Sequence, residues 1–550
     1  MLSQPAISTT QNKFAVDIRR FPWIRRLASD YAFDFARLHD FFAGNPADRG
    51  AWPAAIERAQ QHPRQRDLVV EVLRAQQDRR GASAEARAAA TRLADPRSVA
   101  VVTGQQAGLF GGPLYTLLKA LTALRLAQDL RDTHGVPAVA IFWIEAEDHD
   151  WNEVRSCGVL DADLAPRGVQ LADLPGANQG PVARVRLDDS VSAAVTELEA
   201  SLQATEFTPE LVAGLRAAYT PGAGMADAFG QWLESVLGPQ GLVVYDASDP
   251  AAKPLVADLF VREVEQAGET SRLAAEAGSR LQAAGYHAQV TPADGSVALF
   301  HLNEGRHAIQ RDGDAFLVGD ERIAAGDLVA RIRQRPESFS PNVLLRPLVQ
   351  DTLFPTVCYV AGPNELAYLA QLRGVYAAFA LPMPLFYQRA TATIVDANAM
   401  RFLTRTGVAL ETLRAQDEAA LNQLLQAQLP ASVDEAVQEA ARTIDDRLTV
   451  VAQEVSQIDA TLEGAARSTL TRMQDDLKKL HAKIIQAAKR KDETLKRQFH
   501  HARAQTFPGG HPQEREVGFV YFLNKYGPAL VERLAGDLPI DMGQHWVITI

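Results

Sequence analysis

The chain has 550 residues, more than one hydrophobic core usually supports, so we expect several structural units. Apolar residues make up 47% of the chain and charged residues 22%, a balance that excludes wholesale disorder and fibrous repeats. The net charge of −11 leaves no positive field for phosphate backbones, so nucleic acid is not an expected partner.

The N-terminus and the cysteines bear on where the protein works. The segment MLSQPAISTTQNKF has no apolar stretch after a basic start, and no window reaches the roughly 18 apolar residues of a membrane-spanning helix. Cys157 and Cys358 are too few for a disulfide framework, and neither lies in a setting typical of a reactive thiol. We therefore expect a cytoplasmic protein that is neither exported nor inserted into a membrane.

Residues 1–95 are predicted to form an N-terminal helical region, from the apolar stripe of YAFDFARLHDFF and the helix-forming ASAEARAAATRLAD. The first part of an α/β core follows over residues 96–165. There SVAVVTG predicts a strand, GQQAGLFGGP a glycine-rich loop, LYTLLKALTALRLAQDL a helix and AVAIFWI a second strand. This order is typical of a right-handed βαβ unit, so we expect the two strands to be parallel.

Mixed sequence over residues 166–235 predicts a first insertion, after which GLVVYD returns to the core. The second part of the core spans residues 236–400 and contains a second insertion near 285–325. In that insertion HAQVT, ALFHL and AFLVG alternate as in an antiparallel meander. The core resumes with NVLLRPLVQD, LFPTVCYVAG and PLFYQRATATIVD. The predicted fold class is α/β, with a parallel-sheet core split by two insertions.

Coiled-coil helices are predicted over residues 401–505, and residues 506–550 are apolar enough to pack back on the core. Apolar side chains recur at alternating intervals of four and three residues, the spacing of a coiled-coil seam: Val437, Ala441, Ile444, Leu448, Val451, Val455, Ile458 and Leu462. A second series follows Gly464: Met473, Leu477, Leu480 and Ile484. We expect an antiparallel hairpin that breaks at Gly464, with Ser468 or Thr469 as the next cap, and one unbroken helix is the alternative.

The glycine-rich loop is the first candidate site. Gly104, Gly108, Gly111 and Gly112 lie between a strand and a helix, so the backbone can approach a ligand and the helix start favours a phosphate. Lys119, two turns into the helix, can reach back to that phosphate. We predict these five residues as an ATP site, although their spacing matches neither GxGxxG nor GxxxxGKS/T. A tight packing turn and a solvated lysine are the alternatives.

The block EAEDHD follows the strand AVAIFWI directly and is the second candidate site. It gathers Glu145, Glu147, Asp148, His149 and Asp150 at a strand end, which is where open parallel sheets bind ligands. Its carboxylates suit Mg²⁺ bound to ATP phosphates, or an amine, and His149 can accept a proton from an attacking amine. The alternative is that these carboxylates cap a helix.

A third candidate group lies on later strands. Arg346 is predicted to bind a carboxylate or phosphate of a ligand, and an ion pair with Asp351 is the alternative. Gly362-Pro363-Asn364 ends another strand just before Glu365, which places this turn on the same sheet edge. Arg389, which closes LFYQR, is a further candidate of the same kind.

Four blocks together resemble one known family. They are TGQQAGLFGGPLYTLLKA, FWIEAEDHDWNEV, SPNVLLRPLVQDTLFPTVCYVAGPNELAYLAQL, and QER followed by YFLNKYGP, over about residues 100–527. In order and spacing they resemble the bacillithiol-biosynthesis cysteine-adding enzymes, the BshC family. Ala107 stands where that family's pattern has proline, and Asn364 where a small residue is usual. Neither departure removes a titratable group.

The resemblance implies a Rossmann-like core, a C-terminal coiled coil that forms a homodimer, and a ligase that joins cysteine to the amine of glucosaminyl malate. It also implies ATP activation of the cysteine carboxylate, as an adenylate or an acyl phosphate, with Mg²⁺ accompanying ATP and no metal ligand assigned. Within the matched blocks we predict Asp148 and His149 as catalytic. We also predict substrate-binding residues: Gln105, Gln106, Tyr115, Glu145, Asp150, Arg346, Asn364 and Glu365.

Two other functions are compatible with the same residues. A relative of the class I synthetases and nucleotidyltransferases that acts on another amine would carry a similar sheet edge. A coiled-coil assembly protein with a degenerate nucleotide fold would need the long seam, but it would not need charges gathered behind a buried strand.

Overall fold

A computed structural model describes residues 12–174, 176–427, 431–459, 461–491 and 493–550 of the chain. The N-terminal segment on which the expectation of no export signal rests lies almost wholly outside these residues. The described chain forms two compact units. The core unit is Lys13–Thr393 with Pro512–Ile548, and the helical unit is Ile394–His511.

The strands of the described residues are β1 (Lys13–Asp17), β2 (Val99–Gln106), β3 (Ala138–Glu145), β4 (Ser156–Leu160), β5 (Pro166–Gln170), β6 (Val243–Asp246), β7 (Ser296–His301), β8 (His307–Asp312), β9 (Ala315–Val318), β10 (Glu321–Ala324), β11 (Phe339–Pro341), β12 (Thr356–Ala361), β13 (Leu385–Gln388), β14 (Thr391–Val395) and β15 (Gln544–Thr549).

The α-helices of the same residues are α1 (Arg26–Phe33), α2 (Ala51–Gln61), α3 (Arg66–Arg80), α4 (Ala84–Arg92), α5 (Leu114–His134), α6 (Trp151–Val154), α7 (Ser190–Ser201), α8 (Thr208–Ala218), α9 (Met225–Leu237), α10 (Ala257–Glu265), α11 (Glu269–Ala283), α12 (Ala325–Gln334), α13 (Arg346–Leu353), α14 (Leu366–Leu369), α15 (Arg373–Ala378), α16 (Ala397–Thr406), α17 (Ala419–Ala427), α18 (Ala431–Val455), α19 (Thr461–Lys491), α20 (Glu493–Thr506), α21 (Gln513–Glu516), α22 (Phe519–Tyr526) and α23 (Ala529–Asp537).

A five-stranded parallel sheet in the order β13-β12-β2-β3-β6 forms the centre of the core unit. The buried, apolar β2 and β3 pair in parallel, with Val102 opposite Ile141, so the predicted βαβ unit is confirmed. The chain runs outward from β2 to β3 and β6, then returns to β12 and β13 on the other side of β2. The strand order therefore reverses between β2 and β12, and parallel sheets bind ligands at the carboxyl ends of strands at such a point. We call this end of the sheet the carboxyl edge.

Two insertions interrupt the core between its parallel strands. The first contains the β4–β5 hairpin and helices α7 and α8, and the second contains an antiparallel sheet in the order β10-β9-β8-β7-β11. The predicted meander therefore exists, but it begins at Ser296 and gains a late strand at Phe339–Pro341. HAQVT, which was expected to begin it, forms no strand.

Both ends of the described chain contribute to the core unit. The N-terminal region contains the predicted helices, but it begins with β1, which pairs antiparallel with the C-terminal β15. This strand pair was not predicted, because KFAVD is too short to show alternation. Near the C-terminus, Val517 accepts a hydrogen bond of 2.8 Å from the amide of Leu114 at the start of α5.

In the helical unit, α18 and α19 form the predicted antiparallel hairpin. Gln474 Nε2 donates to Asp445 Oδ1 at 2.9 Å, and further along the pair His481 Nε2 lies 3.1 Å from Asp434 Oδ1. The break is not at Gly464, which lies inside α19, but before Thr461, whose amide donates to Asp459 Oδ1 at 2.8 Å. An aspartate cap ends the turn here, whereas an isolated helical glycine costs only about 1 kcal/mol.

The seam of this hairpin differs in part from the predicted series. Val437, Ala441, Ile444 and Leu448 are half-buried as expected, but Ile458 lies in the turn and is 81% exposed. Val451, Leu462, Met473 and Leu480 are also exposed. No helix in the described ranges combines the length and apolar character needed to cross a membrane.

Gly111 provides a test of packing in the core unit. Its φ of +97° disfavours any side chain, and a Cβ would lie 2.3 Å from Phe519 Cε1. We expect Gly111→Ala to lower the free energy of unfolding by about 3 kcal/mol. Gly536→Ala is the matched control: it lies in α23 with open space around its Cα, and it should raise stability by about 0.5–1 kcal/mol. Denaturant unfolding measures both, and equal midpoints for Gly111→Ala and wild type would contradict the packing.

Candidate active site

Lys119 lies in the interior at the carboxyl edge. Its Nζ donates to the Gly104 carbonyl at 2.7 Å and to Gln105 Oε1 at 3.1 Å, and it forms an ion pair with Glu365. Burial lowers the pKa of Lys119, and the Glu365 carboxylate opposes that effect. An ammonium has three N–H donors, and all three have partners within the fold. The prediction that Lys119 reaches a phosphate is therefore corrected, because this side chain is bound inside the core.

Arg346 begins α13 and lies between two aromatic rings. Its Cζ is 5.8 Å from the ring centre of Trp143 and 5.4 Å from that of Tyr359. Its Nε is 3.8 Å from Glu145 Oε2, its Nη1 donates to Gln350 Oε1 at 3.3 Å, and its Nη2 is buried without a hydrogen-bond partner. Burial raises the pKa of Glu145, while Arg346 and the indole of Trp143 oppose the rise. The guanidinium is therefore close to a carboxylate but only partly satisfied by it.

The alternative partner of Arg346 is engaged elsewhere. Asp351 accepts hydrogen bonds from Gln350 Nε2 at 2.8 Å and from Tyr376 OH at 2.5 Å. The alternative, an Arg346–Asp351 ion pair, is therefore not formed. Arg389 is also satisfied internally, because its two terminal nitrogens donate to the two carboxylate oxygens of Glu514 at 2.9 and 2.7 Å.

The side chains of the five titratable residues in the EAEDHD block do not all point the same way. Glu147 points into the core, where it forms a buried ion pair with Lys253, and burial raises its pKa to about 7. Asp150 accepts from the amide of Glu153 at 3.1 Å and so caps the short helix α6. The capping alternative thus applies to Asp150, which was predicted to bind substrate.

Asp148 and His149 lie side by side, with Asp148 half-buried and His149 exposed. Asp148 Oδ2 accepts from Gln106 Nε2 at 2.7 Å, and Asp148 Oδ1 lies 3.1 Å from His149 Nδ1. Arg306 adds a third group, with Nη1 3.2 Å from Asp148 Oδ1 and 3.1 Å from His149 Nδ1. Burial raises the pKa of Asp148, but the His149 amide, Gln106 and Arg306 together hold it below the usual value. The pair is thus an ionised carboxylate beside an exposed imidazole.

A cavity of about 410 Å³ lies beside the glycine-rich loop. We call it the loop pocket, and its walls come from the loop and the start of α5, from α6 and the β4–β5 hairpin, and from α21 and the residues just after it. Two buried polar atoms in its lining have no hydrogen-bond partner, Thr116 Oγ1 and Gln106 Oε1. Gln105 also lines it and donates to Tyr115 OH at 3.3 Å. The loop pocket therefore adjoins both Lys119, through Gln105, and Asp148, through Gln106.

The glycines of the loop have different roles from those predicted. Gly104 packs against the Trp143 carbonyl and Gly111 against Phe519, whereas Gly108 and Gly112 line the loop pocket. The amides of Gly108, Gly111 and Gly112 donate to carbonyls within the loop, at 2.9 to 3.1 Å. These amides are not free to bind phosphate, so the tight-turn alternative describes the loop better than a phosphate cradle.

Several groups at the site were not predicted from sequence. Arg306 and Lys253 lie in segments without a recognisable motif, whereas Thr116 lies within the quoted block TGQQAGLFGGPLYTLLKA without a predicted role; each contacts or lines the site. Glu153 and Arg515 lie within the quoted blocks WNEV and QER, which marked the segments without assigning them a role. Conversely, Asn364 is exposed in its turn and joins none of these contacts. In the described ranges, no three His, Cys, Asp or Glu side chains gather as a metal site.

Comparison with known proteins identifies the family. A family model described as "Bacillithiol biosynthesis BshC, N-terminal Rossmann-like domain" matches residues 15–390, and one described as "Bacillithiol biosynthesis BshC, C-terminal coiled-coil domain" matches residues 392–550. The chain belongs to the BshC family. The Rossmann-like core and the coiled coil expected from the resemblance are confirmed.

Relatives match this BshC-family chain over nearly its full length. Three that are named "Putative cysteine ligase BshC" come from Salinibacter ruber, Koribacter versatilis and Chlorobaculum tepidum. They are 36%, 34% and 33% identical to it over 95%, 97% and 86% of this chain, and over 95%, 99% and 86% of their own lengths. These relatives are ligases by name, so the expectation of an enzyme rather than an assembly protein is confirmed.

Lys119 and Glu365 offer a test of the buried charges. We expect Lys119→Met to lower the free energy of unfolding by about 3 kcal/mol, because it leaves a partly buried carboxylate without its cation. Combining it with Glu365→Gln should restore part of that loss. Lys13→Met, which removes one exposed hydrogen bond to the Asp537 carbonyl, should cost about 1 kcal/mol or less. Urea unfolding measures all three, and a double variant less stable than Lys119→Met would refute the pairing.

Proposed function

We propose that this chain is the cytoplasmic ligase that joins the carboxyl group of cysteine to the amine of glucosaminyl malate, in the last step of bacillithiol biosynthesis. The names of its full-length relatives support the cysteine substrate. The observation that carries the proposal is the arrangement at the carboxyl edge, where an incompletely paired Arg346 lies beside Glu145. A cytoplasmic location agrees with two buried, unpaired cysteines.

Arg346 and Glu145 match the two charges of a free amino acid. The guanidinium has a buried Nη2 without a partner, and a carboxylate is the group that such a fork binds best. Glu145 lies 3.8 Å from the same guanidinium and can accept from an α-ammonium group. We therefore propose that Arg346 binds the cysteine carboxylate and Glu145 its ammonium.

Asp148 and His149 serve the other substrate in this proposal. The ionised Asp148 attracts the amine of glucosaminyl malate, and the exposed His149 imidazole lies where it can take the proton that the amine loses. Gln106 holds Asp148 in place through its 2.7 Å hydrogen bond. Orientation of the amine toward the activated carboxyl carbon is the main contribution of these side chains.

We propose ATP as the energy source, because an amine displaces a carboxylate oxygen only after that oxygen has become a leaving group. The residues predicted to hold the phosphates do not fit this role, since Lys119 is paired inside the core and the loop amides are bound to carbonyls. We therefore assign no phosphate-binding residue. Mg²⁺ is proposed only as the ion that accompanies ATP.

His149→Ala tests the proposed chemistry. Formation of the cysteine amide from cysteine, glucosaminyl malate and ATP should fall by about 10²–10⁴-fold, which is the usual contribution of a positioned acid–base group. The unfolding midpoint should stay unchanged, because the His149 side chain is 58% exposed. His39→Ala removes a similarly exposed histidine and should leave the rate unchanged. Full activity in His149→Ala, measured by mass spectrometry of the product, would remove His149 from the mechanism.

We also propose that the hairpin of the helical unit forms a homodimer. Six of its large apolar side chains are exposed: Val450, Val451, Ile458, Leu462, Met473 and Leu480. Met473 and Leu480 are one heptad apart within α19, so these two side chains follow one helix face. Burial of these side chains against a second copy would remove apolar surface from water.

Leu480→Glu tests the homodimer. A charge in an apolar contact between two copies should weaken the dimer at least about tenfold, because that charge would have to lose its water on association. Gln486→Glu makes the same change of charge elsewhere on α19 and should leave the dimer intact. Sedimentation equilibrium gives both dissociation constants, and a wild-type chain that stays monomeric at high concentration would exclude the interface.

A further inference from the structure

The loop pocket has an interior that accepts hydrogen bonds. Thr116 Oγ1 and Gln106 Oε1 line it and are both buried without a partner, and Thr116 has no exposed surface. Buried polar atoms are nearly always satisfied in the state in which a protein works, so these two atoms are available to hydrogen-bond a ligand in the pocket. The Gln106 oxygen can only accept, and it therefore needs a ligand that carries hydroxyl or amine hydrogens.

The carboxylates that line the pocket oppose the triphosphate group of a nucleotide. Glu153 and Glu516 both line it, and burial together with the nearby negative charge of Asp150 raises the pKa of Glu153. A triphosphate brings acceptor oxygens and negative charge toward these carboxylates, and it offers no hydrogen to Gln106 Oε1. A ligand with several hydroxyl groups and an amine suits the same surroundings.

The exposed residue Arg515 also lines the pocket. Arg515 is exposed, with Cζ 5.8 Å from the Tyr115 ring centre, and the described residues give it no ion pair. The neighbouring Glu514 is held by two hydrogen bonds from the buried Arg389, which fixes the backbone that carries Arg515. An unpaired arginine held in this way suits a carboxylate substituent of the ligand.

The pocket is also connected to the proposed reaction centre. Gln106 presents its oxygen to the pocket and donates through Nε2 to Asp148 Oδ2 at 2.7 Å. A ligand that donates to Gln106 therefore lies next to the carboxylate proposed to attract the amine. The volume of about 410 Å³ is within the usual range for small-molecule sites and has room for a substituted hexose.

We propose that the loop pocket binds the acceptor substrate, an amino sugar with an anionic substituent. The sugar hydroxyls donate to Gln106 Oε1 and bond to Thr116 Oγ1, the substituent's carboxylate binds Arg515, and the amine faces Asp148. This inference deepens the proposed function and rests on it for the choice of glucosaminyl malate as probe. It assigns the pocket beside the glycine-rich loop to the acceptor and not to the nucleotide.

Titration calorimetry on the full-length chain tests the assignment with two probes. Glucosaminyl malate carries the carboxylates, and methyl glucosaminide is the same sugar without them. Thr116→Val keeps the shape but removes the hydroxyl, so it should weaken both probes by about threefold to tenfold. Arg515→Met should weaken glucosaminyl malate by about tenfold to a hundredfold and leave methyl glucosaminide unchanged. A loss of fold in Arg515→Met would instead weaken both probes equally, and an unchanged unfolding midpoint excludes a loss of fold in Thr116→Val.

Two exposed residues of the core unit give matched controls. Thr196→Val removes a hydroxyl that bonds to the Ser192 carbonyl on α7, and Arg322→Met removes an arginine paired with Asp312 on the second insertion. Neither should change the affinity for either probe.

The outcomes separate this inference from the proposed function. If glucosaminyl malate binds equally well to wild type, Thr116→Val and Arg515→Met, the pocket assignment is wrong and the ligase proposal stands. If the chain rejects glucosaminyl malate but binds another anionic amino sugar with the expected dependence on Thr116 and Arg515, the pocket assignment stands and the named substrate is wrong. If the chain binds only ATP in the pocket, with Thr116→Val weakening ATP, the assignment to an amino sugar is refuted.

Discussion

The buried ion pair between Lys119 and Glu365 joins the parts of the carboxyl edge. It connects α5 to the turn after β12 across the point where the strand order reverses. Lys119 also bonds to the Gly104 carbonyl at the end of β2, so one ammonium group holds two strand ends and a helix together. A charge in the low-dielectric interior needs such partners, because only several close hydrogen bonds and an opposite charge offset the free energy lost when it leaves water. The space around this pair decides where a ligand can bind.

Two groups of side chains that we propose to bind ligands lie at the same edge of the sheet as this pair. Arg346 and Glu145 are one group, and the loop pocket with Asp148 and His149 is the other, with Gln105 and Gln106 between them. Residues from distant parts of the chain complete the second group. Arg306 comes from the second insertion, and its turn is bound to the first insertion through the hydrogen bond from Arg184 to the Leu302 carbonyl. The insertions are thus part of the site, and not merely attachments to the core.

The sequence predicted this fold well where one residue pattern allows one structure. The apolar strands β2 and β3, the loop between strand and helix and the charged block after β3 follow from periodicity and glycine placement. The direction of each side chain could not be predicted from the sequence, because adjacent residues of the block point to different surroundings. Glu147 points into the core and pairs with Lys253, whereas Asp148 contacts Gln106 and Arg306. The partners of Lys119 could not be predicted for the same reason. A helical sequence pattern shows which face is buried, but it does not show which side chains or carbonyl groups lie against that face. The hairpin turns at Asp459 because the Asp459 carboxylate caps the start of α19, although Gly464 is the residue that the sequence pattern favours as a break.

The C-terminal segment has a consequence for how the protein is made. Gly518 donates to the Gly158 carbonyl at 2.7 Å, and the Phe519 amide bonds to Gly112, so the walls of the loop pocket meet residues from the last part of the chain. During synthesis the sheet and both insertions leave the ribosome well before this segment does. The pocket therefore cannot close until residues 518 and 519 have been translated, which delays any activity that depends on it until after the coiled coil has emerged. A chain that ends before Pro512 would lack the contacts that Gly518 and Phe519 make with the walls of the loop pocket.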